Sequence, residues 1–338
     1  MSCAQCFEGV KHEGTPTGTI TTLSTIPTYV ATPTGAYAKD KVVLYLTDVF
    51  GLQLVNNRLL ADSFAANGLR IVLPDMFDGE PIPADALEPG STFDLVAWRV
   101  RHGPETARPR VDKVIEALRA EGVTRIGAVG FCYGARLVFD LAFDHAIDVA
   151  VGTHPSGLEL ADLDRYASEA IAPLLLNTSE VDSAFPAEKQ AHADAVLGGG
   201  KFKPGYERTY WEGCKHGFAV RGDLSNPKIK EGKEGSFKAT VEWFGKHLAV
   251  NSTPTSPSVN GRSSVRSSRL RRSGPSPSRY QVTWEANGGV GLLKLHLLVD
   301  CARWDQQRDL EVLHVVPKGV VVIERTKLAK DVARGALP

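Results

Sequence analysis

The sequence is poor in several features that would assign a protein to a class at once. Its five cysteines, at positions 3, 6, 132, 214 and 301, are odd in number and widely spread, which does not fit a disulfide framework. Lys and Arg total 39, as do Asp and Glu, so no excess charge indicates a nucleic-acid or membrane partner. The N-terminus lacks a signal-peptide pattern, and no apolar run approaches the roughly 20 residues of a membrane span. These absences predict a soluble, cytoplasmic protein.

Two cysteines near the N-terminus have the only spacing that is typical of a metal site. Cys3 and Cys6 are separated by two residues, as pairs of zinc ligands often are. Structural zinc takes four ligands, however, and no second pair with this spacing follows. An unpaired pair of thiols is the simpler interpretation, so we expect no metal site.

A strand and helix pattern repeats through the first 250 residues. Apolar runs at 42–46 and 69–73 flank a segment, 56–67, whose apolar residues recur at helical spacing. Such runs are typical of strands buried on both faces, and a β-α-β unit implies a parallel sheet. Further strands are predicted at 19–23, 27–31, 123–129, 148–153, 173–177 and 207–211, and further helices at 106–120, 136–143, 187–197 and 235–248. The pattern predicts the α/β class, with a mostly parallel sheet flanked by helices.

The most informative stretch is 126–136, a short apolar strand that runs into Gly-x-Cys-x-Gly and then opens a helix. This pattern is typical of a nucleophile elbow, with Cys132 in the position that serine usually occupies. Gly130 and Gly134 leave room for a strained turn. The helix N-terminus favours the thiolate, which is the reactive form of cysteine. On this motif alone, a simple strand-turn-helix crossing with a buried cysteine is the alternative.

Two further residues complete a possible catalytic triad. Asp182 and His216 each follow a predicted strand, and the order nucleophile, acid, base is that of α/β-hydrolases. The base would take the thiol proton, and the carboxylate would fix the imidazole tautomer. Considered alone, a loop histidine such as His216 is more often a solvated surface residue, and Glu180 competes with Asp182 for the role of acid. The combined pattern predicts the triad Cys132, Asp182 and His216.

At these residues the chain resembles the dienelactone hydrolase family, especially its fungal branch. The resemblance rests on four motifs that occur in order, 47–51, 130–134, 180–182 and 216–218, and on the opening segments 2–6 and 12–16. It covers about residues 1–249. It implies an α/β-hydrolase fold, a small-molecule ester or lactone substrate, cofactor-free hydrolysis through a covalent acyl-enzyme, and the same three residues as the triad. We expect a monomer or a homodimer.

Supporting groups of the site follow from the resemblance and from the fold. Asp48 stands where bacterial members carry a glutamate that holds the resting thiol. Arg221, five residues after His216, is similar to an arginine that grips the substrate carboxylate in those enzymes. In this fold the oxyanion hole uses the backbone N–H of the residue after the nucleophile and one from an early strand's loop, which are Tyr133 and Val49 here.

The last part of the chain lies outside the resemblance. Residues 251–279 are rich in Ser, Pro and Arg, with six arginines and no acidic residue, and such a composition cannot bury enough apolar surface to fold. We therefore expect a hydrolase domain at 1–249, a linker at 250–279, and a dispensable extension of disordered or irregular structure at 280–338.

Thiol chemistry narrows the predicted substrate class. A thiolate leaves a tetrahedral intermediate more readily than an alkoxide or an amine, because its conjugate acid is stronger. Activated esters and enol lactones avoid this problem, whereas simple amides do not. A broader carboxylesterase or thioesterase and a non-enzymatic binding protein with the same fold remain the alternatives.

Overall fold

The computed structural model describes residues 13–87 and 90–248 together with two strands, 279–287 and 292–300. The chain divides into two compact units, Met1–Thr253 and Pro254–Pro338. The cysteines at 3, 6 and 301, the motif at 2–6 and most of the proposed linker lie outside the described residues. The predicted boundaries of the linker and the extension therefore stay predictions.

A mixed sheet of eight strands forms the centre of the first unit. Its strands are β1 (Thr19–Leu23), β2 (Ile26–Ala31), β3 (Lys41–Leu46), β4 (Ile71–Pro74), β5 (Arg125–Phe131), β6 (Val149–Thr153), β7 (Leu174–Val181) and β8 (Tyr206–Lys215). Their order across the sheet is β1-β2-β4-β3-β5-β6-β7-β8. The pairs β1–β2 and β2–β4 are antiparallel, and all pairs from β4–β3 to β7–β8 are parallel. The predicted α/β class and mostly parallel sheet are confirmed.

Eight helices are described in this unit. They are α1 (Val55–Ala66), α2 (Leu95–Arg101), α3 (Pro104–Ala120), α4 (Tyr133–Phe143), α5 (Leu160–Glu169), α6 (Ala187–Leu197), α7 (Phe218–Arg221) and α8 (Pro227–His247). The pattern predicted α1, α3, α4 and α6 but missed the shorter α2, α5 and α7.

The last helix begins at Pro227, well before the predicted start at Gly235. Asn226 caps it, since its side chain accepts from the N–H of Lys228, and proline is preorganised for the first helical position. The first turns contain few apolar residues, so helical periodicity became visible only further along the chain.

The two faces of the sheet bury separate sets of side chains. Along β3, Val42, Leu44 and Leu46 belong to one buried cluster, which includes residues of α3, α4 and α5. Val43 and Tyr45 belong to the other, with residues of α1 and α8. This alternation is the two-residue period of a strand. With helices on both faces, the polar site is confined to the loops at the carboxyl ends of the parallel strands.

The second unit contains one described hairpin. Its strands, β9 (Arg279–Asn287) and β10 (Leu292–Asp300), pair antiparallel, with Arg279 opposite Asp300. The hairpin lies within the extension for which the sequence predicted no regular elements.

Candidate active site

A sharp turn joins β5 to α4 and carries Cys132. The residue has φ +50° and ψ −110°, a backbone conformation that side chains rarely adopt. A Cβ on Gly130 would collide with the backbone of Gly134, and a Cβ on Gly134 would collide with the carbonyl of Leu46. Both glycines are therefore required for the close approach of α4 to β5 and β3, as the elbow pattern predicted.

The end of β6 and the loop that follows it form hydrogen bonds with the backbone of Cys132. The Cys132 N–H donates to the carbonyl oxygen of Thr153 at 3.1 Å, and the Ser156 N–H donates to the carbonyl oxygen of Cys132 at 3.1 Å. The Sγ of Cys132 lies 3.6 Å from the Oγ of Ser156. Cys132 as a whole is 8% exposed, so the residue is largely enclosed.

Asp182 and His216 meet at the ends of β7 and β8. The Nδ1 of His216 lies 2.9 and 2.8 Å from the two carboxylate oxygens of Asp182. The carboxylate is fixed by the N–H groups of Ala184 and Phe185, at 2.9 and 3.1 Å. Glu180, the competing acid, is exposed and accepts from the N–H of Gly213 at 2.7 Å instead. The structure thus brings Asp182, and not Glu180, to His216.

The surroundings of His216 favour its charged form. Burial acts against the charge, but the hydrogen bond to Asp182 and the hydrogen bond and charge of Cys132 outweigh it and raise the pKa of His216 to about 10. His216 therefore carries a proton between the Asp182 carboxylate and the Cys132 sulfur.

A second histidine, which the sequence reasoning missed, packs against the first. His154 follows β6, is fully buried, and has φ +38°. Its ring lies edge to face with that of His216, with centroids 5.1 Å apart. Neither ring nitrogen has a hydrogen-bond partner among the described residues. Burial and the charges of His216 and Arg221 lower the pKa of His154 well below its usual value, so this ring is neutral.

Asp48, which is buried, and Arg221, which is partly exposed, form a separate ion pair at the same edge. The Nε of Arg221 donates to Asp48 at 3.0 Å, and the Asn57 side-chain amide donates to the same carboxylate at 3.1 Å. Burial raises the pKa of Asp48, while Arg221 and the hydrogen bonds act in the opposite direction. The guanidinium also stacks over the Phe50 ring at 4.6 Å. Among the described residues no hydrogen bond joins Asp48 to Cys132, and Asp48 is bonded to Arg221 and Asn57 instead.

The oxyanion hole that the sequence predicts would use the backbone N–H groups of Tyr133 and Val49. Tyr133 is the first residue of α4, and Val49 is in the loop after β3. The Gly134 N–H donates to the carbonyl oxygen of Thr47 at 3.1 Å, which ties that loop to the elbow. Neither the Tyr133 nor the Val49 N–H donates to another group in the described part of the chain.

Within the described ranges, no three or more His, Cys, Asp or Glu side chains are arranged to hold a metal ion. In the same ranges, none of the helices has the length and apolar character that a membrane crossing requires.

Comparisons with known proteins show what this chain is similar to. The family model described as "Dienelactone hydrolase family" matches residues 26–248. Hydrolase pyvD of Aspergillus violaceofuscus is 35% identical over 72% of this chain and 96% of its own length. Dienlactone hydrolase 1 of Gibberella moniliformis is 29% identical over 72% of this chain and 93% of its own. A dienelactone hydrolase structure from Klebsiella pneumoniae superposes with a TM-score of 0.53 at 18% identity, over 66% of this chain and 93% of that one. The likeness in structure confirms the expected α/β-hydrolase fold.

Proposed function

The chain belongs to the dienelactone hydrolase family, and on this premise we propose that it hydrolyses activated esters or enol lactones with Cys132 as its nucleophile. Membership itself supports ester or lactone hydrolysis. The observation that carries the finer proposal is the row of contacts from Asp182 through His216 to Cys132, which ends on a thiol at a strained strand-to-helix turn.

The first chemical step is attack by the thiolate on the ester carbonyl carbon. The S–C bond forms and the carbonyl electrons move to its oxygen. When the intermediate collapses, the C–O bond to the leaving group breaks and His216 gives that oxygen its proton. The neutral imidazole then takes a proton from water, which attacks the acyl-enzyme and releases the acid and the thiolate. Asp182 holds Nδ1 throughout, so Nε2 stays directed at the reacting groups.

The negative oxygen of the intermediate needs donors that are already in place. The N–H groups of Tyr133 and Val49 fit this role, because both belong to segments bonded to the elbow and neither donates to another described group. Loss of one such donor typically lowers a rate about 10²–10³-fold. The rigid contact between α4 and the end of β3 keeps the two donors at a fixed separation.

Arg221 is the proposed contact for an acidic group on the substrate. Its Nε is used by Asp48, while the side chain remains 27% exposed, and the planar guanidinium can offer its other N–H groups to a carboxylate. In this arrangement Asp48 positions Arg221; its predicted role as resting-thiol partner stays a prediction. A test compares a carboxylate-bearing lactone with its methyl ester: Arg221→Gln should raise KM about tenfold or more for the acid and change the ester little. Equal losses on both substrates would remove the proposed contact.

Substrate reactivity separates the proposal from its alternatives. An enol or phenol oxygen leaves as easily as the Cys132 sulfur, whereas an amine does not. We therefore expect the rate of turnover to differ among matched aryl ester, alkyl ester, thioester and anilide substrates. Activated esters and enol lactones should be hydrolysed fast, and hydrolysis of the anilide should be undetectable. Preference for the thioester over every oxygen ester would favour the thioesterase alternative, and no turnover of any substrate would favour a binding protein.

The decisive experiment replaces the sulfur. Cys132→Ala should abolish turnover of an aryl ester while thermal unfolding is unchanged. Cys214→Ala is the matched control, since Cys214 is the other described cysteine and its Sγ lies 3.6 Å from the carbonyl of Lys228. Near wild-type turnover by Cys132→Ala would show that another residue is the nucleophile.

A further inference from the structure

The loop after β6 brings a hydroxyl group to the sulfur. Ser156 Oγ lies 3.6 Å from Cys132 Sγ, within the range of hydrogen bonds to sulfur. The same loop is bonded to the elbow on both sides, through the Cys132 N–H to Thr153 and the Ser156 N–H to Cys132, each at 3.1 Å. The backbone therefore holds Ser156 next to the elbow, with its hydroxyl within reach of the sulfur.

The turn that makes this contact has an unusual backbone. His154, two residues before Ser156, has φ +38°, and its N–H donates to the carbonyl oxygen of Asn177 at 2.8 Å. Left-handed backbone at a non-glycine residue costs free energy and persists where the surroundings enforce it. Here it reverses the chain just past β6 and directs the next residues back over the elbow.

Chemistry decides which atom donates. A thiolate has no proton and can only accept, so when Cys132 is ionised the bond must run from the Ser156 hydroxyl to the sulfur. Two other polar side chains near the elbow, those of Asp48 and Tyr133, are used elsewhere. Asp48 is bonded to Arg221 and Asn57, and the Tyr133 hydroxyl donates to the carbonyl oxygen of His102 at 2.9 Å.

We propose that Ser156 is a catalytic residue whose hydroxyl donates a hydrogen bond to the Cys132 thiolate, and so stabilises both the resting nucleophile and the sulfur that leaves during deacylation. This inference rests on the proposed role of Cys132. In acylation the sulfur forms its bond to carbon and loses negative charge, so the hydrogen bond weakens. In deacylation the C–S bond breaks, the electron pair returns to the sulfur, and the hydrogen bond forms again.

The test measures the thiolate directly instead of turnover. The ultraviolet absorbance of thiolate is followed against pH, with the Cys132→Ala protein subtracted to isolate the Cys132 signal. Removing a hydrogen bond to a charged group should move the titration midpoint up by about one pH unit in Ser156→Ala. Alkylation by iodoacetamide below that midpoint should slow about tenfold. Ser156→Thr, which keeps the hydroxyl, should titrate like the wild type.

Two controls keep the outcome interpretable. Ser168→Ala makes the same change on the exposed face of α5, where the hydroxyl donates only to backbone carbonyls, and should change nothing. Ser156→Gly repeats the loss of the hydroxyl in case the alanine protein folds poorly.

The inference is overturned if the Ser156→Ala and Ser156→Gly proteins titrate with the wild-type midpoint, or if the wild type shows no Cys132 thiolate while it is folded. Retained turnover in Cys132→Ala would instead defeat the proposed function. The two failures are therefore distinguishable.

Discussion

His216, which is partly buried, and Lys233, which is buried, are two basic side chains of the first unit whose pKa values shift in opposite directions. His216 lies at the carboxyl edge of the sheet, bonded to Asp182 and facing Cys132, and its pKa is raised to about 10. Lys233, on α8, is 4% exposed, and burial lowers its pKa to about 8. It lines a cavity of about 10 Å³, about the smallest that admits a water.

The surroundings of His216 and Lys233 differ in whether a negatively charged side chain is near. The other side chains around the Lys233 cavity are aromatic, aliphatic or hydroxyl-bearing, and none of them is acidic. The Nζ of Lys233 has no hydrogen-bond partner among the described residues, and desolvation alone lowers its pKa. At His216 the contacts with Asp182 and Cys132 outweigh desolvation. Burial alone disfavours the charged form of a basic side chain, and the contacts with Asp182 and Cys132 are what favour the charged form of His216.

The two groups give the free energy of unfolding opposite slopes with pH. The raised pKa of His216 contributes stability that is complete below about 6.5 and is lost as the pH rises through about 10. Lys233 behaves in the reverse way. Between about pH 8 and 10.5 the unfolded chain still binds a proton that the folded chain has released, so stability increases with pH in that window.

The largest expected effect comes from removing the partner of His216. Asp182→Asn takes away the negative charge, and the amide can hydrogen-bond the wrong tautomer of the ring, so kcat/KM should fall about 10³–10⁴-fold. The pKa of His216 should fall as well, which alkylation rates of Cys132 against pH will report. Asp194→Asn is the control, because it breaks an ion pair with Arg208 outside the site. A loss below tenfold would mean that His216 does not depend on this carboxylate.

The next effect concerns stability. Lys233→Met removes a buried amine without a partner and keeps its apolar stem, so the free energy of unfolding at pH 7 should rise by about 2–3 kcal/mol. The gain should shrink toward pH 10.5. Urea denaturation at both pH values measures it, with the exposed Lys238→Met on the same helix as control. Destabilisation at pH 7 would show that Lys233 is charged and paired.

The smallest effect is expected at His154, which contacts His216 but resembles Lys233 in that its side chain has no hydrogen-bond partner among the described residues. The His154 ring is therefore neutral and takes no proton in the reaction. His154→Phe keeps the ring contact and should lower kcat/KM only a few-fold. Its stability should fall by no more than about 1 kcal/mol, because phenylalanine accepts positive φ less readily. A loss approaching that of Asp182→Asn would make His154 part of the proton path.

Sequence reasoning predicted Cys132, whose turn has a positive φ. The turn leaves room only for glycine at 130 and 134, and both glycines can be read from the sequence. Asp182 and His216 were recognisable by their place after strands. β8 reaches Lys215, beyond the predicted end at residue 211, with a register irregularity between Ser179 and Val181 opposite it. His216 therefore follows the strand directly.

What sequence reasoning missed depends on contacts between distant positions. Asp48 and Arg221 are 173 residues apart. Nothing in the sequence around either residue shows that the two side chains would form a hydrogen bond with each other. Ser156 is an ordinary loop serine by composition, and its only signal was the His-Pro-Ser run after a strand. Helix α5 was missed for a local reason. It is short, and the acidic residues of its capping box, Glu159 and Asp162, are also typical of a polar loop.

The environment of Cys132 has a further consequence outside hydrolysis. Thiolates are the form that peroxides oxidise, first to sulfenic acid. The other described cysteine, Cys214, is fully buried, and burial with the nearby charges of Glu231 and Glu180 raises its pKa to about 11, so it stays a thiol. Mild oxidant should therefore consume the Cys132 sulfur before that of Cys214. Because Cys132 is the proposed nucleophile, its oxidation should abolish turnover until a reductant restores the thiol.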